Sequence, residues 1–106
     1  MALGMIEVYG FTTSIIVADK VAKTSDVKVV AIDKNKPANA DSVEVPLVMV
    51  VKCEGDVAAV EAAVEAGIAE AKERNLYITS KIISRQSEDM EWFARMTATG
   101  KDKLRK

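Results

Sequence analysis

The 106-residue chain has no histidine, a single cysteine and only five aromatic residues. Without histidine it lacks the commonest general base and the commonest nitrogen ligand for metals, which excludes a Ser-His-Asp or Cys-His site. The lone Cys53 has no partner for an intrachain disulfide, which fits a reducing compartment. No apolar run approaches the ~20 residues that a membrane span requires. The opening "MALGMIEVYG" has no basic stretch ahead of an apolar one, so no secretory signal is expected. An excess of one charge is missing too. Fifteen basic residues against sixteen acidic ones give −1, which is no electrostatic footprint for nucleic acid. The basic "KDKLRK" after Gly100 is a local exception and reads as a solvated terminus.

What the chain does have is Ala and Val in quantity, suited to close packing of small side chains on a sheet, in a length that makes one domain. Residues 2–9 read as a mostly buried strand that Gly10 breaks. Thr12 or Thr13 is the expected cap of a helix whose stripe is Ile15, Ile16, Ala18, Val21 and Ala22, ending at Ser25 and Asp26. "VKVVAI" is a second strand and "PLVMVVKC" a third, continuous enough to be central. "EGD" at 54–56 reads as a turn, with Asp56 as an N-cap. The helix after it runs to Arg74, with Val57, Val60, Val64, Ile68 and Ala71 at helical spacing and a Glu70–Arg74 pair. Gly67, costly inside a helix, implies close approach to a neighbouring backbone. "LYITSKII" is a fourth strand with Ile78 and Ile82 on one face. Ser87 then opens a third helix whose buried side is Met90, Phe93 and Ala94, with Trp92 placed in its core. The order β-α-β-β-α-β-α gives an α+β fold, an α/β sandwich of ferredoxin-like order: a mainly antiparallel four-stranded sheet with helices laid on it. A single helical layer leaves part of the sheet or of the helix edges exposed, so self-association is expected.

Four segments carry a resemblance. "ALGMIEVYGF" at 2–11, "ADKVAKTSDVKVV" at 18–30, "GDVAAVEAAVEAG" at 55–67 and "ISRQSED" at 83–89 together resemble, in order and spacing, the BMC-domain shell proteins of bacterial microcompartments. The resemblance implies a BMC domain over 1–90 and a C-terminal extension over 91–106. It also implies a building block without enzymatic activity or cofactor, located in a microcompartment shell in the bacterial cytoplasm. Such subunits form homohexamers that tile with other shell proteins around encapsulated enzymes, with no nucleic-acid or membrane partner. Lys23, Asp26 and Arg85 then fall at hexamer-edge positions, Asp26 standing where the family usually has asparagine. Ser84, Gln86 and Ser87 replace the family's proline and histidine around the edge arginine, which puts flat tiling by this subunit alone in doubt.

By the same resemblance, the connection between the second and third strands lines the hexamer's central pore, open to small polar metabolites. Here it is the long "DKNKPANADSVEVP" instead of a short glycine turn. Its pore-lining candidates are Asp33, Lys34, Asn35, Lys36, Pro37, Ala38, Asn39, Ala40, Asp41 and Ser42. With Glu44, this loop carries −1 per subunit. It has no glycine and so is no phosphate cradle. Cys53 lies away from it and reads as a small buried hydrophobe, so neither a metal nor an iron–sulfur cluster is expected. Two rivals stand beside the shell reading. One is an oligomeric small-molecule sensor of the PII type, which shares the element order and the long loop. The other is a carboxylate enzyme, for which Glu7, Asp19 and the Glu-rich helix supply no distinguished pair.

Overall fold

The computed structural model describes residues 1–35 and 47–85. Strand β1 (Ala2–Tyr9) leads into helix α1 (Phe11–Thr24). Strands β2 (Val27–Asn35) and β3 (Val48–Gly55) follow, then helix α2 (Val57–Glu73) and strand β4 (Tyr77–Ile83). All pairings are antiparallel, in the order β2-β3-β1-β4, so the first and third strands are central. This is the expected α+β sheet. The expected third helix, with Met90, Trp92, Phe93 and Ala94, lies outside the described residues, as do residues 36–46.

Register divides the sheet into two faces. Gly4, Ile6 and Val8 lie opposite Cys53, Val51 and Met49, and this face meets the helices. Ile6, Val8, Met49, Val51 and Cys53 join Val17 and Val21 of α1 and Val60 and Val64 of α2 in one buried cluster. At Gly67 the helix α2 lies tight against β1 and α1. A Cβ there would stand 2.5 Å from Ile6 Cδ1 and 2.9 Å from Val21 Cγ2, so the expected close approach is made to side chains of β1 and α1 and not to a neighbouring backbone.

Several local expectations need correcting. The N-cap of α1 is Gly10, at φ 90, a left-handed conformation that favours glycine, and no side chain caps the helix. Thr13 is instead buried inside α1, and Thr12 is an exposed residue of its first turn. The buried side of α1 is Thr13, Ser14, Val17 and Val21, while Ile15 and Ala22 are exposed. Turning the pattern by one position brings the hydroxyls inward, where Ser14 donates to the Phe11 carbonyl at 2.6 Å. Val57 is likewise exposed, being the first residue of α2 after the Asp56 N-cap, which itself makes no side-chain capping bond. Glu54 and Gly55 belong to β3 and are no turn, because Val27 and Ala2 still pair with Gly55. In β4 a bulge opposite Glu7 and Val8 breaks the alternation, so Tyr77 joins Ile82 against the core in place of Ile78. The Glu70–Arg74 pair is present at 3.1 Å. Asn75, at φ 60, turns the chain out of α2, with its N–H on the Lys72 carbonyl at 3.0 Å.

Candidate functional site

Strand β2 is longer than its apolar run suggests. Asp33, Lys34 and Asn35 continue the ladder opposite Val50, Met49 and Val48, so the connection proper begins after Asn35. The three candidates taken as loop are therefore the last residues of a strand. Lys36, Pro37, Ala38, Asn39, Ala40, Asp41 and Ser42 lie outside the described residues. Beside the strand end, the Gly10 N–H bonds the Leu47 carbonyl at 2.7 Å, which sets the start of α1 against the return of the chain.

Asp33 is no free surface charge. One carboxylate oxygen accepts the Lys34 N–H at 2.8 Å, and the other faces Lys52 Nζ at 3.5 Å. Lys52 is 1% exposed, a buried lysine in the middle of a central strand. Burial pushes its pKa below the ordinary lysine value, and the nearby Asp33 charge and hydrogen bond partly restore it. Nothing in the alternation of "LVMVVKC" distinguishes such a lysine from a solvated one, and sequence reasoning missed it.

The edge candidates lie at the other end of the sheet. Strands β1 and β2 begin there and β3 and β4 finish there, as Ala2 and Val27 flank Gly55 and Leu3 faces Ile83. Asp26 precedes the outer strand β2 and Arg85 follows the outer strand β4, both exposed, so they stand on opposite flanks of this end. Lys23, in the last turn of α1, is exposed and paired with Asp19 at 2.9 Å. An exposed i,i+4 pair contributes only about 0.3–0.5 kcal/mol, so its ammonium can exchange Asp19 for another acceptor at small cost. The Ser25 hydroxyl donates to the Ala59 carbonyl at 2.6 Å, fastening this corner to α2. Eight strand residues, roughly 24 Å at 3.4 Å per step, separate the edge candidates from Asp33–Asn35.

The sheet's second face carries Met5 and Glu7 from β1, Val50 and Lys52 from β3, Asp33 from β2, and Thr79 and Lys81 from β4. These residues line a hollow of about 480 Å³, displaced toward the Asn35 end. Among the described residues no group of three or more His, Cys, Asp or Glu is placed to hold a metal ion. No described helix is long and apolar enough to cross a membrane. Cys53, inside β3, is buried, and burial pushes its thiol up to about 11. It should therefore resist Ellman's reagent at pH 8 in the folded protein and react at once in denaturant; rapid reaction of native protein would contradict its burial.

The model of the BMC domain matches residues 2–86. Over 100 residues the chain is 36% identical to the bacterial microcompartment shell protein EutK of Salmonella typhimurium, covering 91% of this chain and 56% of that protein. It is 34% identical over 84 residues to the shell protein PduK of Citrobacter freundii, covering 79% and 49%. The chain thus spans about half the length of the curated relatives it matches. A crystal structure of a microcompartment protein from Desulfitobacterium hafniense superposes with a TM-score of 0.70 at 31% identity, over 85% of this chain and 46% of that one.

Proposed function

The chain belongs to the BMC-domain family, and on that premise we propose that it is a structural shell subunit of a bacterial microcompartment, with no catalytic role of its own. The observation that carries this reading is the extent of the family match, which takes in every described strand and helix. In this reading six copies close a ring in the bacterial cytoplasm, and rings join each other and other shell proteins around the enclosed enzymes. The division into a domain over 1–90 and an extension over 91–106 belongs to the same proposal. The sensor reading draws no support from these relatives, whose names are those of shell proteins. Electron micrographs of the purified protein test the proposal. Six-fold rings, tiles or tubes are the expected result; trimers or monomers would overturn it.

The pore part of the proposal changes with Asp33. With that carboxylate held against Lys52, the charges remaining on the strand end and connection are Lys34, Lys36, Asp41 and Glu44, two of each sign. The loop's −1 is thereby balanced, so a ring of six discriminates through dipoles and carbonyls more than through net charge, and admits small polar solutes of either sign. For the seam, Lys23→Glu reverses an exposed charge while leaving the fold intact. It should abolish extended sheets and leave rings; sheets unchanged in micrographs would count against Lys23, with Asp26 and Arg85, as the edge contact.

A further inference from the structure

We propose that the bulges in β2 and β4 guard the two outer edges of the sheet, each keeping a second copy of this chain from adding its own strand there. The guard acts on the single subunit and does not depend on the ring reading above.

Among the described residues the sheet ends at β2 on one side and at β4 on the other. An outermost strand presents backbone N–H and C=O groups along its far side, a template for pairing with another chain. Both outer strands have the composition that makes such a template hazardous. "VKVVAI" and "YITSKII" are mainly β-branched, with a single charge each and neither proline nor glycine.

Each outer strand carries one extra residue, and the central strands carry none against each other. β1 and β3 pair without a break, from Ala2 opposite Gly55 to Tyr9 opposite Val48. In β2, Val29 faces Cys53 and Ala31 faces Lys52, so Val30 has no place in the ladder. In β4, Tyr77 faces Val8 and Thr79 faces Glu7, which leaves Ile78 out in the same way. A bulge bends its strand, raises the local twist and interrupts the even row of donors and acceptors that an incoming strand must match. An exposed lysine stands near each bulge, Lys28 in β2 and Lys81 in β4, a second common means of blunting an edge. The two bulges lie on different strands against different partners, so no single packing demand explains both. What they share is the edge.

The ladder also dictates what removal would do. Without Val30, Val29 and Ala31 become neighbours that already face Cys53 and Lys52. Without Ile78, Tyr77 and Thr79 already face Val8 and Glu7. Either deletion therefore keeps every pairing and the face of every side chain, and leaves a regular edge.

Deletion of Val30 and deletion of Ile78, made singly and together, test the guard by sedimentation beside the unmodified protein. One regular edge can pair with the same edge of another copy about a two-fold axis. Each single deletion should keep the native far-ultraviolet circular dichroism and at least double the mass of the unmodified species. The double deletion should grow without a fixed size and gain the infrared band of intermolecular sheet. Folded deletion variants that match the unmodified protein in mass would overturn the proposal. Loss of the native spectrum in both single deletions would overturn it too, because the bulges would then serve the fold and not the edge. Lys28→Thr and Lys81→Thr, with both bulges kept, separate bulge from charge. Unchanged mass is expected, and a doubling here would assign the guard to the lysines instead.

Discussion

Gly4→Val is expected to leave no cooperatively folded protein, and Gly4→Ala to cost about 1–2 kcal/mol. A Cβ at this position would stand 2.7 Å from Val64 Cγ2, 2.8 Å from Val60 Cγ1 and 3.1 Å from Cys53 Sγ. Both valines are on α2, where a β-branched side chain keeps essentially one rotamer, so neither methyl can swing aside. The strand or the helix must move instead, and overpacking of this kind costs about 1–3 kcal/mol. Alanine recovers roughly 0.5–1 kcal/mol because it has less chain entropy to lose than glycine. Valine adds two further methyl groups to the same space, and the ~5–15 kcal/mol that stabilises a typical domain does not absorb repeated collisions. Gly67→Ala is the control. Its nearest neighbour is the terminal Cδ1 of Ile6, which can rotate, so one fixed helical methyl under 3.0 Å remains, Val21 Cγ2 at 2.9 Å, against two at Gly4, and helix propensity returns about 1 kcal/mol. Urea denaturation should rank Gly67→Ala above Gly4→Ala; the reverse order would show that the β1–α2 contact is looser than these distances imply.

Asp33→Asn is expected to cost about 3 kcal/mol at pH 7, and Lys52→Met much less. Removing one member of a buried ion pair typically costs about 3–5 kcal/mol, whereas replacing a buried charge by an apolar group of similar shape is often nearly neutral. The two partners are unequal here, since the Lys52 side chain is 1% exposed and that of Asp33 15%. Asp33 can turn toward water and still keeps the Lys34 N–H. Asparagine at 33 deletes the charge that helps hold the lysine's pKa up and leaves only a neutral acceptor in its place. The folded-state pKa of Lys52 lies below 10.5, so between that pKa and 10.5 the unfolded chain binds more protons than the folded one. Stability therefore gains with pH across that window. In Asp33→Asn the window opens at lower pH, so the variant's deficit should shrink between pH 7 and pH 10. Denaturant titrations at both values check this, and a deficit that stays constant or grows would remove the pair from the account.

Residues whose side chains obey a period announced themselves, and those governed by tertiary contact did not. Val60, Val64 and Ala71 follow the helical repeat and are buried as read. Gly67 was legible because a glycine inside such a repeat needs a neighbour to explain it. On α1 the stripe read from the sequence was Ile15, Ile16, Ala18, Val21 and Ala22, whereas the buried side keeps Val21 and adds Thr13, Ser14 and Val17. Hydropathy favours Ile15 and Ala22 over Thr13 and Ser14, but a hydroxyl can turn inward when a carbonyl accepts it, as the Phe11 carbonyl does for Ser14. The bulge opposite Glu7 and Val8 has no signature in "LYITSKII", and it exchanged Ile78 for Tyr77. The candidate site was read from resemblance and not from chemistry. Lys23, Asp26 and Arg85 look like any solvated charges, and the structure sets them at the end opposite Asp33–Asn35. Lys52 was illegible for the converse reason, since a buried lysine follows no pattern and is recognised only when the strand beside it places a carboxylate within reach.

The rung between Asn35 and Val48 has a consequence for what this protein can become. It clamps the two ends of the 36–46 connection on neighbouring strands, about 5 Å apart. The ladder therefore fixes where the connection leaves the sheet and where it returns. Doubling the length of a closed loop adds only about 0.6 kcal/mol of closure entropy. On closure entropy alone, the interval between Asn35 and Leu47 can change in length at small cost, because its two ends stay held by the same rung of the sheet.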